Sequence, residues 1–391
     1  MILQFFLQDF MLNAIEQKRR QRLAEGKEIL SLVSGNPCEQ GIYFPMERLQ
    51  RIYGEYFKKP DYQPHPKGLF IAREALAEFY SKLGFNLSPE NFILTSGTSE
   101  SFFHLFRLLG KAGANFLAPR PAYPLFEHLA DLARVHLKFY DLQEARAWAI
   151  DFESLEKAAD QNTAGLLLIS PHNPTGVVAS REEIKTLSEF CRQKNLPLIC
   201  DEVFSDFYFQ EGLCPRPGAL EDFPLVFTLN GISKRFALPM MKLGWMAVGG
   251  DAACVDFVLD QLETYADTFL SVHMPIQRAL PDLLKYSEDF VENYVEEVKR
   301  RKNLAVKFLK TIPKLQFKEP EGGFYLTFKV LDKVGLEEET WVLKLLEQTG
   351  VLVHPGYFFD YEKGVHGVMS FLTDPVILEQ AFERIKNFFK I

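Results

Sequence analysis

Between about residues 70 and 250, short apolar runs alternate with stretches that carry an apolar stripe at helical spacing. Phe92 to Leu94, Asn115 to Ala118, Val135 to Tyr140, Leu166 to Ile169, Leu198 to Cys200 and Leu225 to Leu229 read as strands. Glu100 to Leu109 and Arg181 to Lys194 read as helices; in the first, Phe102, Phe103, Leu105, Phe106 and Leu109 are available for burial. The Leu166 to Ile169 run has no polar alternation, as in a strand covered on both faces. Strands alternating with helices predict an α/β fold, a large domain whose mostly parallel sheet is flanked by helices. Ligands of such sheets bind at the carboxyl ends of the strands.

Beyond about Asp251 the texture changes. Long charged helices appear, including Phe290 to Lys310, then a strand-like Gly323 to Phe328 and a helix from Thr340 to Gln348. Val351 to Val353 and Val368 to Leu372 read as strands, and Val376 to Lys390 as a closing helix. This predicts a smaller α+β domain. The division is a large domain over 40–270 and a small one from 1–39 and 271–391. Met1 to Arg22 reads as an amphipathic arm ending near Gly26. Its Phe5, Phe6, Phe10 and Leu12 need a partner surface, on the same fold or on a second subunit.

A length of 391 residues suits two domains. A net charge of -8 offers no general basic surface, so no nucleic-acid partner is expected. The five cysteines are odd in number and contain no Cys-x-x-Cys, which points to a reduced, cytoplasmic protein. The apolar start lacks a basic segment and is interrupted by Asp9, unlike an export signal. No stretch reaches the ~18 uncharged apolar residues of a membrane span. The eight histidines show no ligand spacing, so no metal is expected.

Four segments that follow strands carry candidate chemistry. In Asn230-Gly231-Ile232-Ser233-Lys234 the lysine ends an apolar run, where burial would favour the neutral, nucleophilic amine; a surface loop lysine is the plain alternative. Asp201 directly follows Leu198-Ile199-Cys200, and a carboxylate there needs a cationic or donor partner. An ordinary ion pair or helix cap would also serve. In Pro171-His172-Asn173-Pro174-Thr175-Gly176, two prolines and a glycine make a rigid turn that would hold the Asn173 amide beside a ligand, though Asn-Pro is also a common turn signal. Thr95-Ser96-Gly97-Thr98-Ser99 opens a helix and offers backbone N–H groups, hydroxyls and a positive dipole end to a phosphate. Simple capping by Ser96 or Thr98 is the other reading.

In this order and at this spacing, the segments resemble the fold-type I pyridoxal-phosphate enzymes, specifically the class I/II aminotransferases. The resemblance runs from about Ser34-Gly35-Asn36-Pro37 to the last helix, and its most specific part is Ser233-Lys234 through Gly244-Trp245 together with Asp201-Glu202-Val203 and Asn173 to Gly176. It implies pyridoxal 5'-phosphate held by Lys234 as a Schiff base, with the same amine moving protons. It implies that Asp201 pairs with the pyridinium nitrogen and that Asn173 bonds the phenolic oxygen. Tyr123, in Pro121-Ala122-Tyr123, would stack on the ring, although by itself it reads equally well as a core aromatic. Ser96, Gly97 and Thr98 would bind the phosphate, with Ser233 beside them. Tyr62, ahead of Lys67-Gly68, would reach a phosphate in the neighbouring subunit of a homodimer. Gly35 would line the substrate pocket.

Three departures stand out. The family's phosphate-touching arginine, eight residues after the lysine, is Lys242 here, which keeps the charge but loses the fork. The tyrosine usual three residues after the aspartate is Phe204. The loss of that donor should raise the pKa of the lysine–cofactor linkage, at about 0.5–1.5 kcal/mol for one hydrogen bond. Finally, the arginine that grips a substrate α-carboxylate falls on Val368 or Met369, and there is no arginine between Arg301 and Arg384. Such a contact is worth about 2–5 kcal/mol. Either another cation, such as Arg120 or Arg235, binds the carboxylate, or the substrate has none at the usual place.

The resemblance implies an aminotransferase acting on small amine and keto substrates. The alternatives are a lyase or decarboxylase using the same cofactor residues, and a non-catalytic protein that keeps the fold. Retention of Lys234, Asp201 and Asn173 speaks against the last.

Overall fold

The computed structural model describes residues 12–331 and 337–390. Phe5, Phe6 and Phe10 of the N-terminal arm lie outside the described residues. The chain divides into two compact units, 36–299 with 320–324 and 1–35 with 300–319 and 325–391.

The larger unit is built on an eight-stranded sheet. Its strands are β1 (Phe92–Thr95), β2 (Asn115–Arg120), β3 (His136–Gln143), β4 (Ala149–Ile150), β5 (Thr163–Ile169), β6 (Leu198–Asp201), β7 (Leu225–Gly231) and β8 (Gly244–Gly250). The spatial order is β1-β8-β7-β6-β5-β2-β3-β4. β7, β6, β5, β2 and β3 pair in parallel. Only β8, between β1 and β7, and the short β4 run antiparallel to their neighbours. The central strands are buried along their length, which is why they read as unbroken apolar runs.

Helices Thr98–Leu109, Leu125–Ala133 and Ala252–Phe269 contribute Phe102, Phe106, Phe126, Leu259 and Leu262 to one core against the sheet. Helices Phe70–Lys82 and Met274–Tyr286 build a second core with Trp245 and Phe236. Helix Arg181–Lys194 starts with a capping box, Ser180 bonding the Glu183 N–H and Glu183 the Ser180 N–H.

The smaller unit has a four-stranded antiparallel sheet, in the order Leu315–Phe317, Tyr325–Val330, His366–Ser370, His354–Pro355. A two-stranded parallel pair joins Leu30–Ser31 to Val351–Leu352. Helices Ala14–Ala24, Glu338–Thr349 and Pro375–Phe388 belong to this unit. The first described helix, Ala14–Ala24, is capped by the Asn13 side chain, which accepts the Glu16 N–H at 2.8 Å. Among the described residues, no helix is long and apolar enough to cross a membrane.

Candidate active site

The topology of the large sheet gathers the candidate motifs at one edge. β1 runs into Ser96-Gly97-Thr98, β2 into Pro121-Ala122-Tyr123, and β5 into the turn at 170–176. β6 ends on Asp201, and β7 runs into the one-turn helix Ile232–Arg235. β8 runs the opposite way, so Lys242, just ahead of its first residue, belongs to the same edge.

Asp201 is 9% exposed and accepts the Val203 N–H at 3.1 Å. Burial pushes its pKa up to about 7, against that hydrogen bond; Glu202 adds to the rise, and Lys234 opposes it. A carboxylate held this way favours a cationic partner. The amine of Lys234 is the charge facing it. Burial pulls the Lys234 pKa down to about 8, with Asp201 working in the other direction. Neutral amine is therefore available near neutral pH. The Lys234 Nζ lies 5.6 Å from the ring centroids of both Phe204 and Phe324. These two rings pack edge to face at 4.9 Å.

The turn after β5 is tightly bonded. His172 donates its N–H to the Val177 carbonyl at 2.8 Å, Gly176 donates back to the His172 carbonyl at 2.8 Å, and His172 Nδ1 meets Thr175 Oγ1 at 2.9 Å. Burial lowers the His172 pKa to about 3, so the ring is neutral. Asn173 is buried in this turn, and its side-chain oxygen has no hydrogen-bond partner. That leaves the amide open to a ligand, since an unmet buried polar group is costly.

At the end of β1, Gly97 caps helix Thr98–Leu109 with φ at 135°, a conformation that favours glycine. A Cβ on Gly97 would meet nothing within 4 Å, so there is room beside this residue. A Cβ on Gly244 would come within 2.8 Å of the Gly97 Cα, so β8 reaches this corner only because residue 244 is glycine. Ser96 donates its N–H to Glu100 Oε2 at 2.9 Å. Tyr123 packs edge to face on Phe126 at 5.7 Å. Burial raises its hydroxyl pKa, and the nearby Asp201 charge raises it further. Ser233 is partly buried, whereas Lys242, with φ at 52°, is exposed. Tyr62 is 75% exposed.

Gly35, Val368 and Met369 belong to the smaller unit. A side chain at Gly35 would overlap the Tyr325 hydroxyl. Val368 and Met369 are fully buried in the strand His366–Ser370, paired with Thr327 and Leu326. The two arginines considered as replacements are both engaged. Arg120 bonds Asp141 Oδ1 at 2.9 and 3.1 Å, and Arg235 pairs with Asp206 and Glu288.

Two features escape a reading of the sequence. Phe324 reaches Lys234 from a loop that reads as the start of a strand; the strand begins one residue later, at Tyr325. Glu202, next to Asp201, is fully buried in an ion pair with Arg216, close to the Trp245–Tyr80 hydrogen bond of 2.9 Å.

A lysine and an aspartate meet at the carboxyl edge of a mostly parallel sheet in an α/β protein. The chain belongs to the family of class I and II aminotransferases, whose model matches residues 56–385. It is an enzyme that transfers amino groups. A probable aminotransferase of Arabidopsis thaliana, TAT3, is 30% identical over 338 residues, covering 84% of this chain and 75% of that one. A tyrosine aminotransferase of Dictyostelium discoideum is 27% identical, covering 93% and 89%. The solved alanine aminotransferase of Pyrococcus furiosus superposes with a TM-score of 0.90 at 26% identity, covering 96% of each chain.

Proposed function

We propose that the enzyme uses pyridoxal 5'-phosphate to move an amino group between a primary amine or amino acid and a keto or aldehyde compound. The enclosed Lys234–Asp201 pair carries this reading. The residues fit the cofactor in four ways. The buried Asp201 carboxylate suits a protonated pyridine nitrogen, and the Lys234 amine, with its pKa lowered to about 8, suits a carbonyl. The unpartnered Asn173 side-chain oxygen suits a phenolic hydroxyl, from which it would accept, and the helix start at Gly97 suits a phosphate. When bound, pyridoxal phosphate supplies an electron sink for the charge left at the carbon bearing the nitrogen. Lys234 would take up and return a proton at its amine, Asp201 would hold the ring nitrogen's charge, and Tyr123 would contribute an aromatic surface beside Asp201. Lys242 adds positive charge near the phosphate site.

The substrate site is atypical. Val368 and Met369 are apolar and buried, and Arg120 and Arg235 are committed to carboxylates. This favours an amine without an α-carboxylate at the usual place. The enzyme acts as a homodimer in which Tyr62 reaches the neighbouring site, consistent with its exposure. Free thiols at Cys38, Cys191, Cys200, Cys214 and Cys254 suit a cytoplasmic setting.

The test is to mix purified protein with a panel of amino acids and primary amines and follow the visible band of the bound cofactor. Bleaching by an amine, with a keto or aldehyde product, is expected. Absence of a chromophore, or borohydride treatment that leaves Lys234 unmodified, would refute the cofactor. Rapid bleaching by glutamate or aspartate would refute the atypical substrate site.

A further inference from the structure

Arg235 follows the reactive lysine and is 3% exposed. Its guanidinium is paired with Asp206 and also meets Glu288 Oε2 at 3.1 Å. It stacks over the Phe79 ring at 4.6 Å and contacts Phe236 at 5.3 Å. The Arg235 side chain is 4% exposed and that of Asp206 is 11%, so the pair is withdrawn from water.

Burying an ion pair is a poor way to hold a fold together. Desolvation offsets most of the attraction, and packed apolar groups of the same size stabilise as well or better. What such a pair supplies is direction, because a planar guanidinium stacked on a ring and bonded to a carboxylate has few orientations open to it. Direction matters here for the residues that follow Ile232, where the backbone bonds to β8 end. Ile232–Arg235 is a single helical turn with no side-chain cap, and one turn does not hold itself in place. The backbone ladder holds Asp201 against Leu229 and runs on to Gly231, paired with Gly244, and to the Ile232 N–H, bonded to the Leu243 carbonyl at 3.0 Å. Beyond these bonds lie Ser233 to Arg235 on one side and the segment from Val203 to Asp206 on the other.

We propose that Arg235 is a positioning residue: by clamping Asp206 and stacking on Phe79 it sets the rotation of the lysine turn, and so the placement of the Lys234 amine against Asp201. Neighbours on one helical turn move together, so the direction of Arg235 dictates that of Lys234. The groups facing the Lys234 amine are the Asp201 carboxylate and the rings of Phe204 and Phe324. Glu202 acts on Asp201, and Asp201 in turn on Tyr123. A small rotation changes the distance to Asp201 without altering this cast.

This inference rests on Lys234 being the amine that carries the cofactor. The test uses Arg235→Lys, which keeps the charge but loses fork and stack, and Asp206→Glu, which lengthens the clamp by one carbon. Two readouts are taken: the pH midpoint of the visible band in the loaded enzyme, and the pH profile of Lys234 acetylation in the cofactor-free protein. Each variant should move both midpoints by about half a pH unit or more, roughly a threefold change in the charge equilibrium. Folded variants with both midpoints unchanged would overturn the proposal, whatever their Tm. A wild-type protein with no visible band would instead sink the cofactor assignment, and the acetylation profile would still decide the role of Arg235.

Discussion

The Lys234 amine lies 5.6 Å from the centre of the Phe324 ring, which arrives on the 320–324 segment from much later in the chain. Together with Phe204, also at 5.6 Å, this ring helps to keep water from the amine. Loss of water is the main cause of the lowered Lys234 pKa. Phe324→Ala should therefore let water in and raise that pKa, from about 8 toward the 10.5 of a free lysine. A rise of about one unit is expected from partial rehydration. The pH dependence of Lys234 acetylation in the cofactor-free protein measures it, and an unchanged or lower midpoint would contradict the burial argument.

Asp201 gives a second pH effect, with a definite sign. Its folded pKa of about 7 lies above the ordinary aspartate value of 3.8, mainly because of burial. Between those values the folded cofactor-free protein binds more protons at this site than the unfolded chain. Stability at this site is therefore greatest at low pH and is lost as pH rises through about 7. Asp201→Asn has no such titration. From pH 4 to 7 the wild type should lose up to about 4 kcal/mol relative to this variant, roughly three pH units at 1.36 kcal/mol each. Lys234 stays charged over most of that range, so it adds little to the slope. Urea denaturation of both cofactor-free proteins at several pH values tests this. Parallel curves would show that Asp201 ionises normally.

How far the sequence discloses this site depends on how local each signal is. β5, β6 and β7 are legible because strands covered on both faces need continuous apolar side chains. Lys234 and Asp201 are legible because each follows such a run. β8 is harder to see, since Gly244, Gly249 and Gly250 dilute its apolar pattern, and nothing local reveals that it runs antiparallel. Gly322 and Gly323 suggest a strand start, yet they serve close approach. A Cβ on Gly322 would meet the Phe207 carbonyl at 2.7 Å, and Gly323 has φ at 78°. Their packing brings Phe324 to the lysine. The engagement of Arg120 by Asp141 and of Arg235 by Asp206 depends on pairings between separate elements, which no periodicity encodes.

Gly35 tests packing in the smaller unit. A Cβ there would overlap the Tyr325 hydroxyl and come within 2.9 Å of Cζ. Tyr325 opens a strand paired with His366–Ser370, so it cannot retreat freely. Gly35→Ala should cost about 1–3 kcal/mol of stability, as is usual for overpacking. Combining it with Tyr325→Phe removes the worst overlap, so the double variant should lose less than the sum of the two single losses. Denaturation midpoints of the three variants measure this, and strict additivity would mean that the tyrosine moves aside without strain.

Tyr62 decides whether one site is built from two chains. Its side chain is 75% exposed, so within its own subunit it makes little enclosing contact. If it serves the neighbouring site, losing it should weaken phosphate binding by about 1.5–3 kcal/mol, the range for a hydrogen bond to a charged group. At limiting cofactor, Tyr62→Ala and Lys234→Ala should each be nearly inactive alone. A mixed dimer of the two has one site missing both groups and one site with both intact. Dissociating and reassociating an equal mixture makes half of the dimers mixed, each with one working site of two, so about one quarter of wild-type activity should return. If Tyr62 acts within its own subunit, each site in the mixed dimer lacks one group, and no activity returns. Activity titrated against the mixing ratio separates the two, because only the shared site gives a maximum at equal proportions.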